Sequence, residues 1–242
     1  MWTGLLALLT FIVRFCYGNA TEFTVGYITG SRRLPNNFYY DRPGTTISGA
    51  ITIAVEEVNQ KLLNPRGHSL HFKVAETYGE ETISIRQTAS LVNEGIAGYI
   101  GPQETCIHEG RIAAAFNRPM ISYYCTDNET SNKNIFPTFA RTKPPDVQIS
   151  KSLAALLHKF NWTQVTFLYS NNPVWGFGKM GETLMSVLES SGIKVTQRGM
   201  WDIVYHYNYK ENPFPDLVKR TYQKTRRKGI LLHVSFTIIS RE

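Results

Sequence analysis

Apolar strands and one-sided helices alternate along most of this sequence. The clearest unit is residues 97–125, in which a short buried strand ends at Gly101 and a helix follows at about residues 106–116. A second strand then begins at Met120, after an Asn-Arg-Pro turn. These segments make a complete β-α-β unit, which is the building block of a parallel sheet. The alternation therefore predicts an α/β fold with helices on the faces of parallel sheets.

The same alternation continues on both sides of this unit. The segment at residues 45–63 has apolar residues at helical spacing and charged residues opposite, which predicts a long amphipathic helix that covers a sheet. Its apolar positions are Ile47, Ala50, Ile51, Ala54, Val55, Val58 and Leu62. The other predicted elements are strands at residues 23–29, 70–76, 136–142, 163–170, 193–201 and 230–239, and helices at residues 80–94, 147–160, 175–191 and 216–226.

A proline pair divides the chain into two predicted lobes. Pro144 and Pro145 cannot continue the strand before them, because each lacks an N–H donor and disfavours helix in the residue that precedes it. Asp146 can then cap the next helix. We therefore predict two doubly wound parallel-sheet lobes, at residues 19–142 and 143–242. The second lobe has only three predicted strands, so we expect it to be truncated.

Residues 1–18 have the pattern of a secretory signal peptide. An apolar core at residues 5–13 is followed by Cys16 and Gly18, which offer the small side chains that precede a cleavage site. A membrane anchor is the alternative, but it needs about 20 apolar residues. No later segment reaches that length, so we expect the processed chain to begin near Asn19 and to be soluble.

The cysteines and the glycosylation sequons point to the secretory pathway. Removal of the signal peptide leaves Cys106 and Cys125 as an even pair in an oxidising compartment. Both are predicted at the same edge of the sheet, so we predict a disulfide between them, with two buried free thiols as the alternative. Three N-x-S/T sequons, at Asn19, Asn128 and Asn161, favour the same compartment.

A ligand site is expected at the carboxyl ends of the parallel strands, where such folds bind their ligands. The helix that follows Gly101 leaves free backbone N–H groups at this edge, which can hold an anion or a ligand carboxylate. Tyrosines also gather there, as in ligand clefts, although tyrosines at strand ends are equally common in ordinary packing. The predicted ligand-binding rim consists of Gln103, Glu104, Thr105, Ser122, Tyr123, Tyr124 and Tyr169.

Two segments resemble catalytic motifs, but neither meets the structural requirements of the motif that it resembles. The glycines of residues 176–181 match the dinucleotide fingerprint G-x-G-x-x-G, but residues 171–175 separate them from the strand that should lead directly into the first glycine. The segment CIHE at residues 106–109 suggests a thiol or metal site, but zinc needs three or four ligands and the other histidines are scattered singly. We therefore predict no catalytic residues and no metal ligands, and keep a nucleotide-dependent oxidoreductase as a distant alternative.

Basic residues are concentrated late in the chain, which has a formal net charge of +7. Residues 219–228 hold six basic residues in ten. Such a run suggests nucleic acid in a nuclear protein, but a secreted protein rarely meets any. A solvated helix face is the favoured interpretation, and we expect no nucleic-acid partner.

Four linked segments carry a resemblance to a known family. They are RPG at 42–44 with GAITIAVEEVN at 49–59, AETYGEETISIRQTASL at 75–91, YIGPQETCIHEGRIAAAFNRPMISYYC at 99–125, and FPTFARTKPPDVQISKSLAALLHKFNWTQVTFLYS at 136–170. Together they resemble the extracellular receptor region of natriuretic-peptide-type receptor guanylate cyclases, and most closely the invertebrate members. The resemblance covers roughly residues 23–226. The tail at residues 227–242 no longer looks like the family, which suggests an alternative or mis-joined end.

The resemblance implies a periplasmic-binding-protein-like type I module of two lobes that works as a homodimer outside the cell. In the family, one membrane span, a kinase-like domain and a guanylate cyclase domain follow, and peptide binding outside is coupled to cyclic GMP synthesis inside. The resemblance also implies a bound chloride at the Gly-Pro turn, where the matching backbone is that of Gln103 and Glu104. Vertebrate members bridge a cysteine beside this turn to an earlier one, whereas the available partner of Cys106 here is Cys125.

The leading expectation is therefore a non-enzymatic, ligand-sensing fragment of a receptor guanylate cyclase. Its ligand-binding residues should lie along the rim between the lobes. Its dimer surface should use first-lobe helices such as the one at residues 45–63. A secreted soluble binding or decoy protein built from the same module is the alternative.

Overall fold

The structure of the protein is a computed structural model that describes residues 20–35, 37, 40, 42–103, 105–171, 177–202, 214–224 and 231–234. The predicted signal segment, Asn19, Glu104 and most of the predicted tail lie outside the described residues. In the part of the chain that is described, no helix is both long enough and apolar enough to cross a membrane.

The chain forms two compact units. The first comprises Met1–Cys125 with Asn132–Thr142, and the second comprises Thr126–Ser131 with Lys143–Glu242. The main change from one unit to the other coincides with the proline pair. The backbone of Pro145 is extended, with a ψ of 152°, and a helix begins directly after it at Asp146. Proline suits this place because its fixed φ and missing N–H prevent the preceding strand from continuing.

The first unit is built on a five-stranded sheet. Its elements are β1 (Thr21–Thr29), α1 (Gly44–Ile47), α2 (Gly49–Val58), β2 (His68–Glu76), α3 (Glu81–Asn93), β3 (Gly98–Ile100), α4 (Ile107–Ala115), β4 (Met120–Ser122) and β5 (Phe139–Arg141). All strands pair in parallel, in the order β2-β1-β3-β4-β5. Val25 lies opposite Gly98, and Tyr99 opposite Met120. The order reverses at β1, as in a doubly wound sheet with helices on both faces.

The core of the first unit lies between this sheet and its helices. Ile28, Ile96, Met120 and Phe136 are almost completely buried and belong to one apolar cluster. Gly26 allows α3 to lie close to β1, because a Cβ at this position would come within 2.6 Å of the Leu91 side chain. The buried strand residues explain why the parallel strands appear in the sequence as nearly continuous apolar runs.

The segment at residues 45–63 differs from the single covering helix that we predicted. It consists of α1 and α2, with a bend at Ser48, and a π-helical turn at Asn59–Leu63. Ile51 is the buried apolar residue of α2, whereas four positions of the predicted apolar face are exposed, namely Ile47, Ala50, Ala54 and Leu62. The bend and the wider π turn rotate the ends of the segment, so one apolar face is not kept along its length. Most of the predicted apolar face therefore does not cover the sheet.

The second unit contains a three-stranded parallel sheet within its described residues. Its elements are α5 (Asp146–Lys159), β6 (Gln164–Asn171), α6 (Phe177–Ser190), β7 (Lys194–Asp202), α7 (Phe214–Lys224) and β8 (Leu231–Val234), and the sheet order is β7-β6-β8. Leu157 of α5, Phe167 of β6 and Leu188 of α6 are almost fully buried in its core. Helices α5 and α6 therefore cover the sheet with their apolar sides.

Candidate functional site

The candidate site lies where β1 and β3 end, at the carboxyl edge of the first sheet. The chain passes from β1 to β2 on one side and from β3 to β4 on the other, so it leaves β1 and β3 in opposite directions across the sheet. This reversal is the topological switch point, at which open parallel sheets form their ligand crevice. Thr29 is the last residue of β1, and Gly101 follows the last residue of β3. The side chains around this point therefore decide what the edge can bind.

Gly101 brings the two strand ends together. Its φ is 109°, in a region that residues with a Cβ rarely adopt. A Cβ at this position would lie 2.3 Å from the carbonyl oxygen of Ile28, which is closer than any atom tolerates. The Gly101 N–H donates to the carbonyl of Ile121 at 2.9 Å, which ties the turn to β4. Only glycine fits this turn, and the turn sets the position of the next residues.

Gln103 is the central polar side chain of the site, and only 1% of its surface is exposed. Its Oε1 accepts a hydrogen bond from Thr29 Oγ1 at 3.1 Å, which joins the ends of β1 and β3. The Tyr123 hydroxyl lies 3.4 Å from the same oxygen and 3.2 Å from the Ile28 carbonyl oxygen, so its one hydrogen is shared between two acceptors. Within the described residues, Gln103 Nε2 is buried and has no hydrogen-bond partner. A buried amide donor without a partner is unusual in a folded protein.

Ser122 holds the loop that carries Tyr123. Its Oγ donates to the carbonyl of Pro102 at 3.1 Å and accepts from the N–H groups of Tyr124 at 3.3 Å and Cys125 at 3.0 Å. Ser122 is completely buried, so these bonds lie in a region of low dielectric constant, where they hold the backbone firmly. The structure thus brings Gln103, Ser122 and Tyr123 together, with Tyr124 half-buried beside them.

Cys106 and Cys125 form a disulfide at this edge, with their Cα atoms 5.8 Å apart. Both side chains are buried in the apolar cluster of the first unit. The bridge joins the start of α4 to the loop after β4, and it therefore fixes both halves of the polar cluster. The alternative of two free thiols does not describe this structure.

Thr105 does not direct its hydroxyl into the polar cluster. It donates to Glu109 Oε1 on α4, and Ser84 of α3 donates to the same oxygen. Glu109 is completely buried, so the two hydroxyl donors compensate part of its desolvation. His108, next to it, pairs with Glu81 at 2.8 Å on the surface. The segment CIHE is thus accounted for by a disulfide and helix contacts, and the described residues contain no group of three or more potential metal ligands.

Glu76 organises the neighbouring loop, although no sequence pattern points to it beyond its place at the end of β2. Its carboxylate accepts hydrogen bonds from the N–H groups of Ser31, Arg32 and Tyr78. These contacts tie the loop after β1 to the loop after β2. Thr29, whose hydroxyl bonds to Gln103, was likewise not predicted as a site residue. It is the last residue of β1, and its sequence position indicates only a place in the sheet.

Tyr169 belongs to the second unit and has a packing role there. It lies in β6, where its ring stacks on that of Phe167 with centroids 5.1 Å apart. A Cβ on Gly181 of α6 would come within 3.1 Å of the same ring. Gly178 and Gly181 lie inside α6, and Gly176 lies outside the described residues. Gly181 therefore allows close helix–strand packing here.

Two ionisable groups outside the polar cluster have shifted pKa values. Burial raises the pKa of the Tyr99 phenol to about 12, and the nearby Arg118 guanidinium offsets part of this effect. The Tyr99 hydroxyl donates to the carbonyl of Thr88 on α3 at 2.9 Å. In the second unit, burial lowers the pKa of Lys143, and Asp146 offsets part of that shift. Among the described residues, the polar cluster at the switch point consists of neutral amide and hydroxyl groups, which suits binding and supplies no nucleophile–base pair.

The sequence profile of the receptor family ligand binding region matches residues 46–241. The chain belongs to this family of receptor ligand-binding regions. The match covers most of the chain and continues through the segment after residue 227. This family has a periplasmic-binding-protein-like fold, and the five-stranded parallel sheet agrees with it. The predicted fold class is confirmed.

Relatives of this receptor ligand-binding region include receptor guanylate cyclases of invertebrates. The chain is 37% identical over 172 residues to receptor-type guanylate cyclase Gyc76C of Drosophila melanogaster, which is 71% of this chain and 11% of the relative. It is 29% identical to the resact receptor of Arbacia punctulata (76% of this chain, 19% of the relative) and 28% identical to the speract receptor of Strongylocentrotus purpuratus (74% and 16%). The chain thus spans less than a fifth of the length of these relatives, and the predicted resemblance is confirmed.

Proposed function

We propose that the chain is the ligand-sensing extracellular region of a receptor guanylate cyclase. In the full-length receptor it takes a peptide or another extracellular ligand and couples its binding to cyclic GMP synthesis. The family match over residues 46–241 and the similarity to Gyc76C support this function. The disulfide supports a secretory route, because disulfides persist in oxidising compartments. The chain itself acts by binding, and catalysis belongs to a different part of the receptor.

The ligand contacts the polar cluster at the switch point of the first unit. The observation that carries this assignment is Gln103, a buried side chain whose Nε2 has no partner among the described residues. A ligand carbonyl or carboxylate would satisfy this donor, and a carboxylate would gain a charge-assisted hydrogen bond. The same donor also fits an anion such as chloride. Thr29 and Tyr123 hold the amide in place through its oxygen, so the donor is already oriented before the ligand binds.

A chimaeric receptor tests this function. The chain is fused before the membrane span and cyclase of a relative, and surface delivery and cyclic GMP are measured with fractionated peptide pools. We expect Gln103→Glu, which keeps the accepting oxygen and removes the donor, to raise the half-maximal ligand concentration at least about tenfold. Gln60→Glu, at an exposed position of the same unit, should leave it unchanged. A chimaera that reaches the surface and responds to no pool would contradict the proposal.

A second copy of the chain packs on the outer side of α2. Ala50, Ile53, Ala54 and Glu57 lie at the spacing i, i+3, i+4, i+7 and are all exposed, with Ile53 at 65%. A largely apolar stripe with a carboxylate at one end suits a two-fold contact, in which each copy buries the same residues. Ile53→Lys should convert a dimer into a monomer in analytical ultracentrifugation. Thr52→Lys adds the same charge to another side of the helix and should leave the dimer intact.

A further inference from the structure

An apolar stripe runs along the exposed side of α5 in the second unit. Ile149, Leu156 and Phe160 are spaced by seven and four residues, which places them on one side of a helix. They are 38%, 50% and 55% exposed, respectively. At 1.5 Å per residue, the stripe is roughly 16 Å long. The buried residues Ala154 and Leu157 lie on an adjacent side of the helix, roughly 100° around its axis from the stripe, so the stripe is not part of the core.

The stripe ends in two stacked aromatic rings on either side of Asn161. The N–H of Asn161 donates to the carbonyl of His158 at 2.9 Å, and the N–H of Trp162 donates to that of Leu157 at 2.8 Å. This pair of bonds is a Schellman motif, and Asn161 takes its left-handed position with a φ of 56°. The motif turns the chain back so that the rings of Phe160 and Trp162 stack, with centroids 5.0 Å apart and an interplanar angle of 26°.

The same residues form a glycosylation sequon that is open to solvent. Asn161, Trp162 and Thr163 are all exposed. The sequon at Asn128 differs, because its Thr130 is only 1% exposed and its hydroxyl donates to the Asp127 carbonyl at 2.9 Å. The Asn161 side chain is therefore exposed, and its two neighbours in the sequence are aromatic residues that are exposed as well.

We propose that Asn161 carries an N-linked glycan whose first sugars pack on Phe160 and Trp162 and shield the stripe on α5. The modification rests on the secretory route in the proposed function. In the transfer, the Asn161 amide nitrogen bonds to the anomeric carbon of an oligosaccharide carried on a lipid pyrophosphate. The bond from that carbon to the pyrophosphate breaks, the lipid pyrophosphate leaves with the electron pair, and one amide proton passes to a base of the transferase.

A sugar can pack on this aromatic surface because its ring has an apolar face and a polar edge. One face of an N-acetylglucosamine ring presents C–H groups, which pack on the negative face of an aromatic ring. Its hydroxyl groups lie around the edge and stay in water, so the contact buries apolar surface and leaves the polar groups solvated. Because the glycan is attached between the two rings, its first sugar reaches them without a separate binding step.

The experiment uses the 242-residue chain secreted from cultured eukaryotic cells. Peptide mapping after enzymatic deglycosylation, which converts a modified asparagine to aspartate, should find sugar at Asn161. Thr163→Ala should abolish it while keeping the asparagine. Enzymatic removal of the glycan should reduce the folding equilibrium constant of the second unit about threefold to tenfold. In a Phe160→Ala/Trp162→Ala variant, removal of the glycan should change that constant by less than twofold. Asn128→Gln, which removes the Asn128 glycan from the otherwise unaltered protein, should also change it by less than twofold.

The outcomes separate the two proposals. A secreted chain with sugar at Asn128 and none at Asn161 would overturn this inference and leave the receptor function standing. Sugar at Asn161 whose removal has the same effect with and without the two rings would refute the packing. A chain that is delivered to the secretory pathway and carries no sugar at any sequon overturns the modification, whereas a chain that never enters that pathway overturns the proposed function with it.

Discussion

Both carboxylate oxygens of Glu76 accept the backbone N–H of Ser31, at 2.9 and 3.1 Å. Glu76 ends β2, and Ser31 lies two residues beyond the end of β1, so one side chain joins the loops that follow neighbouring strands. The Tyr78 N–H donates to the same carboxylate at 2.9 Å. The edge of the first sheet is thus held by side-chain contacts on both sides of the switch point, with Glu76 on one side and Gln103 on the other.

Glu76→Gln should destabilise the first unit by about 1–3 kcal/mol, because it removes the charge and leaves one N–H without an acceptor. Hydrogen exchange of the β1 amides measures this loss in the first unit alone. Glu94→Gln is the matched control, since Glu94 forms an exposed pair with Lys73 and should change stability by less than about 0.5 kcal/mol. If the two substitutions lowered the stability of the first unit equally, the Glu76 hydrogen bonds would contribute no more to it than an exposed ion pair does.

Gly101→Ala should destabilise the first unit more strongly than the same substitution at a glycine that has a positive φ but open surroundings. The new Cβ adds a contact of 2.3 Å with the Ile28 carbonyl oxygen to the strain of its φ, which by itself costs about 1–3 kcal/mol. Gly95→Ala isolates the strain, because Gly95 has a φ of 71° and nothing within 4 Å of an added Cβ. Urea unfolding of both variants should separate the two contributions, and identical midpoints would contradict the crowding at Gly101.

The order of strands and helices could be predicted from the sequence, because buried parallel strands and amphipathic helices have different hydrophobic periods. The position of Gln103, Ser122 and Tyr123 at one edge could also be predicted, since parallel strands end at the same side of a sheet. The turn chemistry at the Gly-Pro step was visible as well, because glycine and proline mark strand ends.

The direction of individual side chains could not be predicted in the same way. Thr105 follows Gln103 by two residues, yet its hydroxyl bonds to Glu109, one turn later in α4. Glu76 binds a loop that lies 45 residues earlier in the chain, and a local sequence pattern cannot predict a contact over that separation. The exposed side of α2 depends on the bend and the π turn at its ends, which hydrophobic spacing alone does not specify.

Replacing both cysteines, as Cys106→Ser/Cys125→Ser, should destabilise the first unit by roughly 3 kcal/mol in the chain-entropy model, given the sequence separation of 19 residues. Urea unfolding with and without reductant measures the loss. Reduction of the unaltered protein should lower stability by a similar amount, and reduction of the double variant should have no effect. Free alkylation of both thiols in the native, unreduced protein would contradict the bridge.

Tyr99 should make the first unit sensitive to alkaline pH. Burial raises its pKa from 10.0 to about 12, so the folded protein holds the phenol proton more tightly than the unfolded chain does. The resulting stability is complete below pH 10 and falls as the pH rises through 12. The full fall amounts to about 3 kcal/mol, from two pKa units at 1.36 kcal/mol each.

Tyr99→Phe should remove this decline, although it also removes the hydrogen bond to the Thr88 carbonyl and lowers stability by about 1 kcal/mol at neutral pH. The quantity to compare is the difference in unfolding free energy between the unaltered protein and the variant at each pH from 8 to about 12. We expect that difference to be constant up to pH 10, then to fall and to change sign near pH 12, because only the unaltered protein loses stability through Tyr99 and its loss exceeds about 1 kcal/mol. Tyr27→Phe keeps Tyr99 and should decline like the unaltered protein. A difference that stays constant up to pH 12 would show that the Tyr99 phenol ionises alike in the folded and unfolded chain.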